Sequence, residues 1–223
     1  MKEKQKKYRI AVDGVSGSGK STLSKDVAKS LNYLYIDTGA MYRAITYKLL
    51  KSNVDLSDSF AIKKILDTTQ IEFEIVDGRN NIILDGVNIE DKIRLLDVSS
   101  HVSEVAAILS VRKYLVLLQK EYSKVDGIVM DGRDIGTVVM PDADFKFFIT
   151  ADINIRAKRR YEELLKSNSE IKFDDVLNNL TNRDNIDSNR ENSPLTVASD
   201  AIVIDTSKLS MENQLKVLLS YIK

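Results

Sequence analysis

The stretch Val12–Leu31, VDGVSGSGKSTLSKDVAKSL, sets a glycine-rich turn between two regular segments. Upstream, YRIAVD (8–13) reads as a strand, with Ile10 and Val12 β-branched. Downstream, Leu23, Val27, Ala28 and Leu31 recur at helical spacing. Gly14, Gly19, Lys20 and Ser21 satisfy the spacing G-x-x-x-x-G-K-[ST], the P-loop pattern. Glycines let the backbone curl so that successive N–H groups converge on an anion. A helix opening near Lys20 adds the positive end of its dipole. Lys20 then reaches the β- and γ-phosphates, and the Ser21 hydroxyl ligates Mg²⁺. The expected triphosphate-binding segment is Gly14, Val15, Ser16, Gly17, Ser18, Gly19, Lys20, Ser21 and Thr22.

Working outward, strand-like runs alternate with helical ones, which predicts an α/β chain built on a parallel sheet. The further strands are YLYI (33–36), GIVMD (127–131), FKFFIT (145–150) and AIVID (201–205). They are nearly all apolar, as strands covered on both faces tend to be. Helices are expected at about 19–31, 39–52, 59–68, 104–123, 152–166, 173–189 and 210–221. Residues 71–91 break the alternation. IEFEIV puts Ile71, Phe73 and Ile75 on one face, and Asp-Gly pairs follow at 77–78 and 85–86. That pattern predicts an antiparallel hairpin or three-stranded ribbon.

The 223 residues suit one mid-sized domain with small inserted lobes. Lys plus Arg and Asp plus Glu both number 33, so no global basic field points to nucleic acid. The chain has no cysteine, which excludes disulfides and thiolate metal sites. No apolar run reaches membrane-spanning length, and MKEKQKKYR lacks the apolar stretch of a signal peptide. A cytoplasmic protein, acting as a monomer away from membrane and nucleic acid, is the expectation. The single histidine, His101, sits in an apolar-rich stretch and reads as structural.

A P-loop alone does not choose a reaction. Ligands of open α/β sheets bind past the carboxyl ends of the strands, and arginines gather in such places here. DTGAMYR (37–43) follows a strand, with Asp37 or Thr38 able to cap the next helix. DGRDIGT (131–137) follows another. Arg156, Arg159 and Arg160 share one helix face, as do Arg183, Asp187 and Arg190. Each has a plainer reading: a capped helix, a solvated basic face, or an Arg183–Asp187 surface pair. Together they suit phosphoryl transfer, which relies on positioning and cationic stabilisation. Three readings remain open at this level: a nucleotide kinase, a P-loop kinase for a sugar, shikimate or UMP, and a P-loop regulatory switch.

IAVDGVSGSGKST, YIDTGAMYRA, DGRDIGTVVMPDA and RDNIDSNRENSPL, in that order, resemble the bacterial cytidylate kinases over about residues 8–222. The resemblance implies a P-loop NTPase fold: a five-stranded parallel sheet flanked by helices. It implies an inserted monophosphate-binding lobe (38–112) with a small antiparallel sheet, and a helical lid (152–190). It implies transfer of a phosphoryl group from ATP to CMP or dCMP with Mg²⁺. It places Thr38, Tyr42, Arg43, Ser103, Arg112, Arg133, Asp134, Arg183, Asp187 and Arg190 around CMP. Arg43 falls on the phosphate, Ser103, Arg112 and Asp134 on the base, and Arg183 with Asp187 on the ribose. Lys20, Arg133 and the lid residues Arg156, Arg159 and Arg160 become the expected catalytic cations. Thr38 stands where some members carry Ser, and Ser188 where some carry Arg.

Overall fold

The computed structural model describes residues 6–76, 79–166 and 170–222. Five parallel strands form the central sheet: β1 (Arg9–Gly14), β2 (Leu34–Asp37), β6 (Ile128–Gly132), β7 (Phe145–Thr150) and β8 (Ile202–Asp205). Their order is β2-β6-β1-β7-β8, so β1 is central and the chain winds both ways from it. Alternation along β1 divides the interior. Ile10 and Val12 join Val129, Phe147 and Ile149 under helices α1 (Lys20–Leu31) and α8 (Met211–Tyr221). Ala11 joins Ile36 and Met130 on the other face, under α2 (Thr38–Lys51) and α5 (Leu109–Tyr122). Every strand of the sheet is hydrogen-bonded in parallel register, and Asp13 stands beside Gly132.

The region 71–91 forms a second, antiparallel sheet of three strands, β3 (Ile71–Val76), β4 (Arg79–Leu84) and β5 (Val87–Asn88). Ile71 and Phe73 face the same core cluster as Ile82 and Leu84, while Glu72 and Glu74 are exposed. Asp85 and Gly86 both take positive φ, 50° and 78°, as a two-residue hairpin turn requires. The first Asp-Gly pair, 77–78, lies outside the described residues. A short helix, α3 (Ser59–Leu66), precedes this sheet.

The single helix expected at 104–123 is two. α4 (Leu96–Ala107) and α5 are separated by Ile108, which is extended at ψ 120°. No proline or glycine marks that break. Arg112 folds back across it, and its Nη1 donates to the Ala106 carbonyl at 3.2 Å. A freed helix-end acceptor is thereby satisfied. His101 lies on α4 with its side chain partly exposed beside Asp97. Last come α6 (Ile153–Leu165) and α7 (Phe173–Asn189), which share a small core of Ala157, Val176 and Leu180. Among the described residues no helix is long and apolar enough to cross a membrane.

Candidate active site

The P-loop joins β1 to α1 along the carboxyl edge of the sheet. Gly14 could not carry a side chain, because a Cβ there would lie 2.1 Å from the Ile149 carbonyl oxygen. Gly19 turns the chain into α1 at φ 84°. Lys20 curls back with Nζ 3.4 Å from the Val15 carbonyl. Burial, with Arg133 close by, pushes its ammonium down to about 7. Ser21 Oγ donates to Asp131 Oδ2 at 2.7 Å, and the Tyr35 hydroxyl donates to Asp131 Oδ1 at 2.6 Å. Burial and the nearby Asp37 raise the Asp131 carboxyl.

A hydroxyl and a carboxylate in contact are hard oxygen donors, and they fit Mg²⁺ held by a P-loop serine and a strand-end aspartate. No group of three metal-ligating side chains occurs among the described residues. A Mg²⁺ bound here would take its further ligands from phosphate and water, as Mg²⁺ prefers. Ser21 was expected here; Asp131 was not singled out, though it opens DGRDIGT.

Across the cleft the side chains are interlocked. Asp37 caps α2 by accepting from Ala40 N at 2.8 Å, and its second oxygen takes Arg43 Nη2 at 3.1 Å. Burial acts to raise Asp37, but Arg43 and the Ala40 amide outweigh it and hold the carboxyl low. Thr38 donates its hydroxyl to the Asp131 carbonyl at 2.7 Å, which ties α2 to β6. Asp134 accepts a hydrogen bond from Arg112 Nη2, and Arg190 Nη2 lies 3.7 Å from its other oxygen. Arg112 also stacks over the Tyr42 ring, 5.6 Å from its centroid. Asp187 accepts from Arg133 Nε at 2.8 Å and sits 3.8 Å from Arg190 Nη1. Burial works against that carboxylate too, and Arg133 again wins, holding it low.

The expected Arg183–Asp187 pair does not form. The partner of Asp187 is Arg133, brought from β6, and Arg183 makes no ion pair with a carboxylate among the described residues. Burial and the adjacent Arg133 lower Arg183 to about 10. Arg43 Nε, Arg183 Nε and Arg190 Nη2 are buried without a hydrogen-bond partner among the described residues. Arg43, Arg112, Arg133, Arg183 and Arg190 thus meet only Asp37, Asp134 and Asp187. Positive charge is in excess at this end, and an anion would relieve it.

The lid arginines separate. Arg156 is buried, and its donors go to the protein: Nε to the Ala151 carbonyl, Nη1 to the Ser16 carbonyl and Asp184. It fixes α6 to the P-loop instead of reaching for phosphate, contrary to expectation. Its partner Asp184 also accepts from Ser16 N at 3.0 Å and was missed in the sequence. Arg159 is anchored on the Thr206 carbonyl at 2.7 Å, and Arg160 pairs with Glu163 at 2.8 Å on a partly exposed face.

A single cavity of about 560 Å³ joins the two ends. All but five of the expected site residues line it. Gly14, Val15, Ser18, Arg112 and Arg156 stand behind its wall. Arg112 acts from there on Asp134, so it positions the carboxylate from beneath. Lys25 and Arg94 also line the cavity, and neither was expected. No local motif marks Lys25 or Arg94.

The family model described as cytidylate kinase matches residues 10–223. The cytidylate kinase of Caldicellulosiruptor bescii is 47% identical over 96% of this chain and 95% of its own. That of Flavobacterium psychrophilum is 47% identical over 97% and 98%. The chain belongs to the cytidylate kinase family. A shikimate kinase from Bacteroides thetaiotaomicron, 11% identical, superposes with a TM-score of 0.50 over 96% of this chain and 98% of its own. That likeness extends to the fold alone. The family is a kinase family, which accounts for a cleft with a triphosphate loop at one end and unpaired cationic donors at the other.

Proposed function

We propose that this cleft transfers the γ-phosphoryl group of ATP to CMP or dCMP, giving ADP and CDP or dCDP. The observation that carries the proposal is the pairing across one cavity of a P-loop with a buried arginine excess. An acceptor phosphate oxygen attacks the γ-phosphorus while the bond to the β,γ-bridging oxygen breaks. Both nucleotides are polyanions, so the chief task is to hold two negative groups close together. Lys20 and the P-loop amides take the triphosphate. Arg43, Arg133 and Arg183 take the acceptor phosphate, using the donors that protein groups leave free. Mg²⁺ held by Ser21 and Asp131 supplies charge neutralisation on the triphosphate when it is bound.

Asp134 reads the base. A carboxylate accepts from the cytosine 4-amino group, and uracil offers an acceptor there instead. Arg112 from beneath and Arg190 from the side hold that carboxylate in place. Ser103, on α4, lines the same end. Asp187 takes a ribose hydroxyl with the oxygen that Arg133 leaves accessible. Residues 38–112 act as the monophosphate lobe and 152–190 as a lid, whose closure brings Arg159 and Arg160 inward and excludes water. A monomer acting in the cytoplasm, without nucleic acid or membrane, completes the proposal.

The test is ADP release with ATP and Mg²⁺ against CMP, dCMP, UMP, AMP and shikimate in turn. The expected result is turnover of CMP and dCMP well above the others. Preferred turnover of any other acceptor overturns the assignment.

A further inference from the structure

We infer that Asp13, which sits between β1 and the P-loop, is a positioning residue that locks the base-reading loop of the acceptor site to the triphosphate site. The inference rests on the kinase reading above and adds to it a residue that contacts neither nucleotide.

Asp13 is the last residue before Gly14, so its backbone is continuous with the P-loop. In register it stands beside Gly132 of β6, whose chain continues into Arg133 and Asp134. Its side chain is buried and spans the gap between the two segments. Oδ1 accepts from Ile135 N at 2.8 Å, and Oδ2 accepts from Gly136 N at 2.8 Å. These two amides open the π-helical turn Ile135–Val139 that follows Asp134. Further along the turn, Val138 N and Val139 N donate back to the Asp134 carbonyl and Met140 N donates to the Ile135 carbonyl.

An ionised carboxylate accepts from two parallel N–H groups without carrying a donor, and these two amides work against the rise that burial imposes on Asp13. Bonds to a charged acceptor are shorter and stronger than neutral ones. The far side of the contact is closed as well. A Cβ on Gly136 would lie 3.2 Å from Lys146 Cδ and 3.4 Å from Asp13 Oδ2, so the turn lies tightly between β1 and β7. Asp134 is therefore held on two sides. Arg112 orients its carboxylate, and Asp13 fixes the backbone immediately after it.

This arrangement explains how two sites built from distant sequence keep one spacing. A shift of the turn would move Asp134 and Arg133 relative to Lys20, and a misplacement of about 1 Å can cost roughly 10²-fold in a positioned reaction. Asp13→Asn is nearly isosteric but sets an amide N–H against the Gly136 N–H. The expected result is a rise in KM for CMP of roughly tenfold or more, the value of a hydrogen bond to a charged group. The CMP-to-UMP ratio of kcat/KM should fall with it. KM for ATP should change much less, because the P-loop amides and Lys20 remain in place.

Gly136→Ala presses on the same contact from the other side and serves if Asp13→Asn does not fold. Its effects should run in the same direction and be smaller. Amide exchange at Ile135 and Gly136 should accelerate in either variant. If KM for CMP and the CMP-to-UMP ratio stay at wild-type values, or KM for ATP rises as much as that for CMP, the positioning role is overturned. Wild-type turnover of CMP in the same assay tests the parent reading separately, and its absence overturns both.

Discussion

In the proposed reaction the two ends of the cleft would hold phosphate by opposite means. At the triphosphate end the donors are backbone amides of nine consecutive residues, 14–22, and one lysine. Their geometry is local, and glycine supplies it. At the acceptor end the donors are side chains: Arg43, Arg133 and Arg190, each aligned by an aspartate or a carbonyl, and Arg183, which makes no ion pair among the described residues. The first design costs little to assemble, because the amides are already there. The second buries charge, which is expensive unless the partners are all in place. A residue lost from the P-loop should therefore cost activity with little loss of stability. A carboxylate lost from the acceptor end should cost both.

Lys20→Ala is the sharpest break on the triphosphate side. Its ammonium is the one side-chain cation of the P-loop, and removal of a comparable transition-state contact lowers kcat by about 10²–10³-fold. Because burial already pushes Lys20 down, losing it should leave the melting temperature unchanged or raised. A variant with most of its kcat at saturating ATP would remove Lys20 from the mechanism.

Asp187→Ala is the matching break on the acceptor side, and the comparison predicts a double effect. Arg133 loses its 2.8 Å partner, and Arg190 loses one of two nearby carboxylates. Breaking a buried pair in this way costs about 3–5 kcal/mol of stability. KM for CMP should rise by roughly tenfold or more with the loss of a charged acceptor, while KM for ATP stays close to wild type. Thermal melts and the two KM values, taken on one preparation, check both halves. Near-wild-type stability would mean that the buried pair adds nothing net to the fold.

Asp134→Asn sharpens the same contrast at the base. Asn keeps one carbonyl acceptor and gains a donor that can meet the uracil 4-carbonyl. Arg112, hydrogen-bonded to Asp134, loses its charged partner. The CMP-to-UMP ratio of kcat/KM should fall several-fold and KM for ATP should hold. An unmoved ratio would take Asp134 out of base reading.

The contrast also decides what could be read from sequence. The P-loop, the five parallel strands and the three-stranded ribbon were legible, because each is encoded in neighbouring residues or in period-two alternation. The acceptor residues were placed by resemblance, and most do line one cavity. Their pairings were not legible. Arg133 and Asp187 are 54 residues apart, and no spacing rule joins them. Helical spacing instead suggested Arg183 for Asp187, and a shared phosphate-facing role for Arg156. Both fail for one reason: a face shared along a helix does not say what packs against it. The break at Ile108 was hidden too: no proline or glycine marks it, and the Ala106 carbonyl is met there by a buried arginine from the next helix.

The smallest expected effect is a proton count on the triphosphate side. Lys20 sits at about 7, mainly through burial and secondarily through Arg133. A triphosphate brings negative charge within a few ångströms, which favours the ammonium and raises that value again. The sign follows directly. Near pH 6 Lys20 is already charged, so ATP binding takes up little proton. Near pH 8 it is mostly neutral, so binding must take up close to one, and ATP affinity weakens as pH rises through 7. Titration calorimetry in two buffers of different ionisation enthalpy reads the number. Omitting Mg²⁺ keeps the raised carboxyl of Asp131 from adding its own proton. Lys20→Arg is the control, because a guanidinium stays charged throughout. Uptake should vanish in that variant while ATP still binds. Equal uptake in wild type and Lys20→Arg would assign the proton to another group, with Asp13, raised to about 7 chiefly by its burial, the first to examine.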